Sequence, residues 1–318
     1  MKGSDTKECS FYLTNWAWYN MRHFRGAAGT APAAEMRPAN LNRVMPAEEE
    51  NMKCAILAAV AAAIATADAG LEVSGYGSFD VSSAYVLYGA RFNKEPSFWT
   101  YGEINAKADG WGGPGAALWQ NTDMTCRRKD DMRRMNEWDW SAYYRYGYDI
   151  SEDWRIACEA GHTWYKYHGL KGSAKTVYKT MMEAYGRLEL QNPYVTPHLY
   201  AAYDWQVTDG MFATAGLKRD IALPFGITFT PDMTVGGGNS RYLACMYPPW
   251  GEPEVKGGLS YVQLSGKISY WFNGHFGIHA QAACVAIAND RIRSAIDAGG
   301  SDCRKQFVWG TVGMDVAF

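Results

Sequence analysis

The sequence predicts an all-β chain folded as an antiparallel up-and-down barrel of about twelve strands that crosses a membrane. Three observations carry this. Apolar and polar residues alternate with period two over segments of roughly 10–14 residues, where strands of globular proteins average about 5–6. Aromatic residues make up 14% of the 318 positions, and many fall at the ends of those segments. Yet the mean hydropathy is only −0.32. A helical membrane protein would read far more apolar, whereas a barrel presents lipid with one residue in two.

The amino-terminal part is read separately. Met52-Lys53-Cys54 leads into an apolar run from Ala55 to Ala67, then Ala67-Asp68-Ala69 before Gly70. A positive start, about 13 apolar residues and small residues at −3 and −1 read as a secretory signal peptide over 52–69. Spanning a bilayer as a helix takes about 20 apolar residues. The codons of Glu48-Glu49-Glu50 can be written GAG-GAG-GAA, which contains the ribosome-binding string AGGAGG. Residues 1–51 are therefore expected to be an untranslated leader or an unstructured extension, with Met52 as the start and 70–318 as the barrel.

Twelve strands are expected, at roughly 73–91, 96–108, 115–125, 137–150, 153–168, 177–191, 194–206, 210–221, 225–237, 258–273, 275–289 and 306–318. Val262, Leu264, Ile268, Tyr270 and Phe272 share one face of the tenth, opposite Gln263, Ser265, Lys267 and Ser269. In the fourth, Trp138, Trp140, Tyr144, Tyr146 and Tyr148 oppose Glu137, Asp139, Ser141 and Arg145. Connections after the even strands are short, as at Ser151-Glu152, Asn192-Pro193 and Asn273-Gly274. Those after strands 3, 5, 9 and 11 are long. Short periplasmic turns, longer external loops and both termini inside are the expected asymmetry. The chain ends in an alternating segment closing on Phe318, like the carboxy-terminal signature of bacterial outer-membrane barrels. Phe318 is therefore the expected barrel-assembly signal, with the barrel-assembly machinery and outer-membrane lipids as partners.

The run Phe79-Asp80-Val81-Ser82-Ser83-Ala84-Tyr85-Val86-Leu87-Tyr88-Gly89, followed by Glu95-Pro96-Ser97-Phe98, resembles the first hairpin of a family of small porin-like bacterial outer-membrane proteins. That family carries an aromatic-Arg pair where this chain has Leu87-Tyr88. Glu183-Ala184-Tyr185, Asn192-Pro193 and Tyr203-Asp204-Trp205 with Gly210 are similar in order and spacing. The resemblance implies an outer-membrane barrel with a channel role and supplies no catalytic residues.

With the polar parity turned inward, the expected pore lining comprises Glu103, Lys107, Asp139, Arg145, Arg155, Glu159, Lys179, Glu183, Arg187, Glu189, Asp204 and Lys267. Opposed charges on one wall set up a transverse field for a small hydrophilic solute diffusing passively. The alternative is an ion-pair network filling a narrow, non-conducting barrel with a structural or surface-recognition role. No enzyme activity, cofactor or metal is expected: five cysteines after residue 70 show no CxxC spacing, and no Ser stands near His162 to complete a lipid-hydrolase triad. The formal net charge of −2 offers no basic stripe for nucleic acid.

Overall fold

A computed structural model describes residues 72–107, 112–124, 136–168, 181–247, 255–298 and 304–318. The segments read as leader and signal peptide lie outside them, as does Lys179. In chain order the strands are β1 (Glu72–Ser82), β2 (Tyr85–Leu87), β3 (Ala90–Asn93), β4 (Ser97–Lys107), β5 (Gly113–Asp123), β6 (Asn136–Asp149), β7 (Arg155–His168) and β8 (Met181–Gln191). There follow β9 (Thr196–Asp204), β10 (Gly210–Lys218), β11 (Ile221–Ala222), β12 (Ile227–Gly238), β13 (Gly258–Trp271), β14 (Phe276–Ile287) and β15 (Gln306–Ala317). Two helices, α1 (Ser240–Met246) and α2 (Asp290–Ala298), interrupt the long connections on either side of β13 and β14. Among the described residues no helix is long and apolar enough to cross a membrane.

All strands but β2 and β3 belong to one antiparallel sheet, and β11 is a two-residue fragment beside β12, so twelve strands build the wall. The sheet closes into a ring. β1 pairs β15 from Tyr76↔Ala317 to Ser82↔Thr311, and β10 pairs β12 from Phe212↔Gly238 to Lys218↔Asp232. At the seam the Gly75 N–H donates to the Phe318 carbonyl at 2.9 Å, and the Phe318 N–H donates back to Gly75 at 3.0 Å. The terminal Phe thus extends the closing ladder by one pair.

Closure leaves every wall strand with an inner and an outer face, and burial follows the pleat. In β9 the buried positions are His198, Tyr200, Ala202 and Asp204, while Leu199, Ala201 and Tyr203 face outward. The outer face is apolar through its middle: Val81, Leu188, Leu199, Leu217, Met233, Leu264, Ile268, Val312 and Met314 are exposed large hydrophobics. Aromatic rings flank this belt. Tyr148, Trp154, Tyr194, Phe225, Phe272 and Phe276 ring the end with the short turns, here the turn end, and Trp138, Tyr203 and Trp205 lie toward the opposite, loop end.

One expected element is wrong. A first strand over 73–91 does not form: β1 stops at Ser82, and residues 85–93 make a separate hairpin. Tyr88 and Gly89 both adopt positive φ (42° and 77°), the geometry of a two-residue hairpin turn. Gly89 also abuts the Tyr261 ring, so a Cβ there would lie 2.2 Å from it. Tyr85, Val86 and Leu87 are all buried, so the hairpin has no outward face and cannot be wall.

Glycine shapes the inner wall where side chains must cross a strand. His279, Gly313 and Asp80 form one register row across β14, β15 and β1. A Cβ on Gly313 would meet Asp80 Oδ1 at 2.2 Å and the backbone oxygen of Phe79 at 2.8 Å. Gly313→Ala is expected to destabilise the refolded barrel by about 1–3 kcal/mol through overpacking. Gly186→Ala, on the outer face with nothing within 4 Å of the added carbon, should stay within about 0.5 kcal/mol. Urea unfolding in lipid vesicles, followed by circular dichroism, measures both.

Candidate functional site: the divided lumen

The lumen has two unlike halves. Toward the turn end it is polar and charged; toward the loop end it is aromatic and filled.

In the polar half, Arg145, Glu159 and Arg187 face one another in register on β6, β7 and β8. Arg145 donates from Nε and Nη2 to Glu159 Oε2 at 2.9 and 2.6 Å, and from Nη1 to Asn105 Oδ1 at 3.1 Å. Arg187 Nη1 stands 3.8 Å from Glu159 Oε1, which also accepts from the Tyr185 hydroxyl at 3.0 Å. Glu103 lies 3.5 Å from Arg145 and accepts from the Tyr101 hydroxyl at 2.5 Å. Gly115 makes room for this crossing: the Tyr143 hydroxyl reaches over it from β6 to Asn105 on β4 at 2.9 Å.

A second network spans the seam. His279 places Nε2 at 2.6 Å from Asp80 Oδ1 and Nδ1 at 2.9 Å from Asp315 Oδ2. One imidazole thus stands between two carboxylates, hydrogen-bonded to Asp315 through Nδ1. The Tyr76 hydroxyl adds a bond to Asp315, and Lys267 is buried within electrostatic range of both carboxylates. A third group pairs Lys218 with Glu189 at 2.7 Å across β9, and His198 with Asp232 at 3.4 Å.

The structure therefore places Glu103, Arg145, Glu159, Arg187, Glu189 and Lys267 on the inner face of the polar half. Lys107 and Arg155 sit at its rim, the latter 3.7 Å from the exposed Asp149. Of the other four expected lining residues, Lys179 lies outside the described residues and three go elsewhere. Asp139 and Glu183 lie deeper, among the aromatic residues, and Glu183 accepts from the Tyr165 and Tyr242 hydroxyls at 2.8 and 3.0 Å. Asp204 caps a turn, accepting from the backbone N–H groups of Gln206, Val207 and Thr208 at 3.0, 3.0 and 2.6 Å. It holds the β9–β10 corner rather than facing a passage. Strand position gave its parity; an Asp just before a tight turn is the signal that gives its role.

The aromatic half is filled by segments that leave the wall, and Ile292 and Ile296 of α2 join the same buried cluster. The β2–β3 hairpin enters between β1 and β4, and α1 enters between β12 and β13. α1 is capped by Asn239, whose side chain accepts from the Tyr242 N–H at 3.0 Å. Leu87, Leu243 and Met246 have no exposed surface and share one cluster with wall residues Trp99, Trp119 and Trp309. The long connection after the expected ninth strand, read as an external loop, is thus corrected for α1: its Tyr242, Leu243 and Met246 are buried, because apolar side chains prefer apolar surroundings to solvent.

On the outer face His162 stands between Ala142 and Ala184 in register, accepts from the Trp205 indole N–H at 3.1 Å and lies 4.4 Å from the Trp164 ring. At the loop end, Tyr203 and Arg241 both bind Asp209, and hydrogen bonding from Tyr203 followed by the Arg241 charge lowers its carboxyl pKa. A lowered folded pKa stabilises above the ordinary Asp range, and the contribution is lost as pH falls through it. Among the described residues no group of three or more His, Cys, Asp or Glu side chains is placed to hold a metal.

No family model matches the chain, and no curated protein matches it. Among solved structures it is similar to the KdgM porin, at 10% identity and a TM-score of 0.41, covering 77% of this chain and 99% of that one. It is similar to the COG4313 outer membrane channel from Pseudomonas putida F1, at 8% identity and a TM-score of 0.46, covering 77% and 95%. It is also similar to outer membrane phospholipase A from Escherichia coli, at 12% identity and a TM-score of 0.41, covering 76% and 95%.

Removing the Glu159 carboxylate by Glu159→Gln leaves Arg145 and Arg187 facing each other and should cost about 3–5 kcal/mol. The exposed pair Arg155–Asp149 should be worth under about 1 kcal/mol, tested by Asp149→Asn. Paired urea titrations of the two variants check the contrast.

Proposed function

We propose that the chain is a bacterial outer-membrane barrel that passes small hydrophilic solutes, with the turn end in the periplasm and the loop end outside. The polar half of the lumen carries this reading. Burying ion pairs is no cheaper than burying apolar side chains of the same size, and is often dearer. A barrel needing only to be filled is equally well filled by the residues of its other half. Charges of both signs along the inner wall are instead what a passage for polar solutes uses to select them. The apolar belt between aromatic girdles supports the membrane setting. The residues expected to line the passage are Glu103, Lys107, Arg145, Arg155, Glu159, Arg187, Glu189 and Lys267.

The filled loop half favours a second reading, a non-conducting barrel with a structural or surface-recognition role. Planar-bilayer recording on the refolded full chain separates the two. The channel reading expects discrete current steps in potassium chloride, and Lys107→Glu with Arg155→Glu at the rim should move the reversal potential toward cation preference. Complete absence of current, in the wild type and in a variant whose residues 84–95 are replaced by a short turn, contradicts it.

A further inference from the structure

The hairpin and α1 leave the wall at separate places, with β13, β14, β15 and β1 between their points of entry, yet they meet inside. The Tyr247 hydroxyl, just past α1, donates to the Tyr88 carbonyl at the hairpin tip at 2.8 Å. The rings of Tyr88 and Tyr242 lie 6.2 Å apart, and both pack on Phe212 of the wall, at 3.9 and 5.2 Å. Each segment also grips the wall by one phenol on one carboxylate. Tyr85 of the hairpin donates to Glu137 Oε2 at 2.5 Å, and Tyr242 of α1 donates to Glu183 Oε1 at 3.0 Å.

Gly236-Gly237-Gly238 lead into α1 as the last residues of β12, paired in the wall ladder on both sides, and the β12–β13 register shifts between the first two. Gly258, with φ 136°, opens β13. Within the mouth each segment covers apolar surface of the other, so moving one alone would expose the remainder to water.

We infer that the β2–β3 hairpin and α1 form one two-piece stopper that unseats from the loop-end mouth as a unit, with Tyr85–Glu137 and Tyr242–Glu183 as its two catches. The inference takes its purpose from the channel reading, but its geometry stands without it. In the seated state the apolar cluster and both catches seal the outer mouth over the polar half. In the unseated state the two segments leave the mouth together.

A thiol in one piece reports on a catch in the other. Cys245 lies in α1 and is buried. The full chain, pre-reduced and folded in phospholipid vesicles, is exposed to a membrane-impermeant maleimide, and mass spectrometry follows modification of the Cys245 peptide. Tyr85→Phe removes the catch on the hairpin, far along the sequence from Cys245. Loss of a hydrogen bond to a charged group predicts modification roughly ten- to a hundredfold faster. Tyr242→Phe should do the same from the other piece. A Cys245 rate unchanged within about twofold in Tyr85→Phe, against a clear rise in Tyr242→Phe, would show that the pieces move separately and overturn the proposal. Glu137→Gln weakens the same catch from the wall side and replaces Tyr85→Phe if that variant loses its heat-modifiable barrel form on gels. Bilayer currents from the same preparations keep the two readings apart. Faster Cys245 modification without current upholds the stopper and counts against the channel; current with an unchanged Cys245 rate does the reverse.

Discussion

The closing ladder between β1 and β15 is the contact on which the rest depends. Inside a bilayer, with no water available, every backbone N–H and C=O must find a partner within the chain. A sheet meets that demand only by having no edge. Tyr76↔Ala317 through Ser82↔Thr311, with the Gly75–Phe318 pair beyond, removes the last one. Once the sheet is closed, the pleat sorts every wall residue to lipid or lumen, and a slip of one residue would exchange the two faces. Leu199 and Tyr203 outside, with His198, Tyr200 and Asp204 inside, are the local consequence in β9.

Twelve strands make a lumen wider than the eight-stranded barrels whose own side chains just fill it, and narrower than an open sixteen-stranded pore. The chain resolves that intermediate width differently at its two ends. At the loop end it brings in extra chain, 85–93 and α1, and seals the space with aromatic and aliphatic packing. At the turn end wall side chains reach toward one another over glycine: Tyr143 over Gly115, His279 and Asp80 over Gly313. The first solution is sealed by the hydrophobic effect; the second depends on each charge keeping its partner.

Much of this was legible in the sequence because it rests on parity. Alternation in 137–150 and 258–273, and the contrast of short and long connections, led to the wall strands and to the inner face of Glu103, Arg145, Glu159, Arg187 and Lys267. The hairpin was not legible by the same rule. Tyr85-Val86-Leu87 continues the apolar character of β1, so a pattern reader extends the strand, although three consecutive buried residues mark a segment covered on both faces. α1 is only seven residues long, too short to impose a helical period on a loop. Asp139 and Glu183 have the inward parity but sit among the aromatic residues. Which side chains meet along the axis depends on register and on what enters from the loops, and neither is written in the alternation.

The central claim is a closed wall whose alternate residues face lipid and lumen, tested most directly by spin labels placed one at a time along 307–316 of β15 in vesicles. Labels at Val308, Val312, Met314 and Val316 should be relaxed strongly by oxygen dissolved in the bilayer. Those at Phe307, Trp309, Thr311 and Asp315 should be relaxed weakly, giving a period of two along the strand. Uniform accessibility along the strand, or strong relaxation by a water-soluble nickel chelate at Val312 and Met314, would contradict the account.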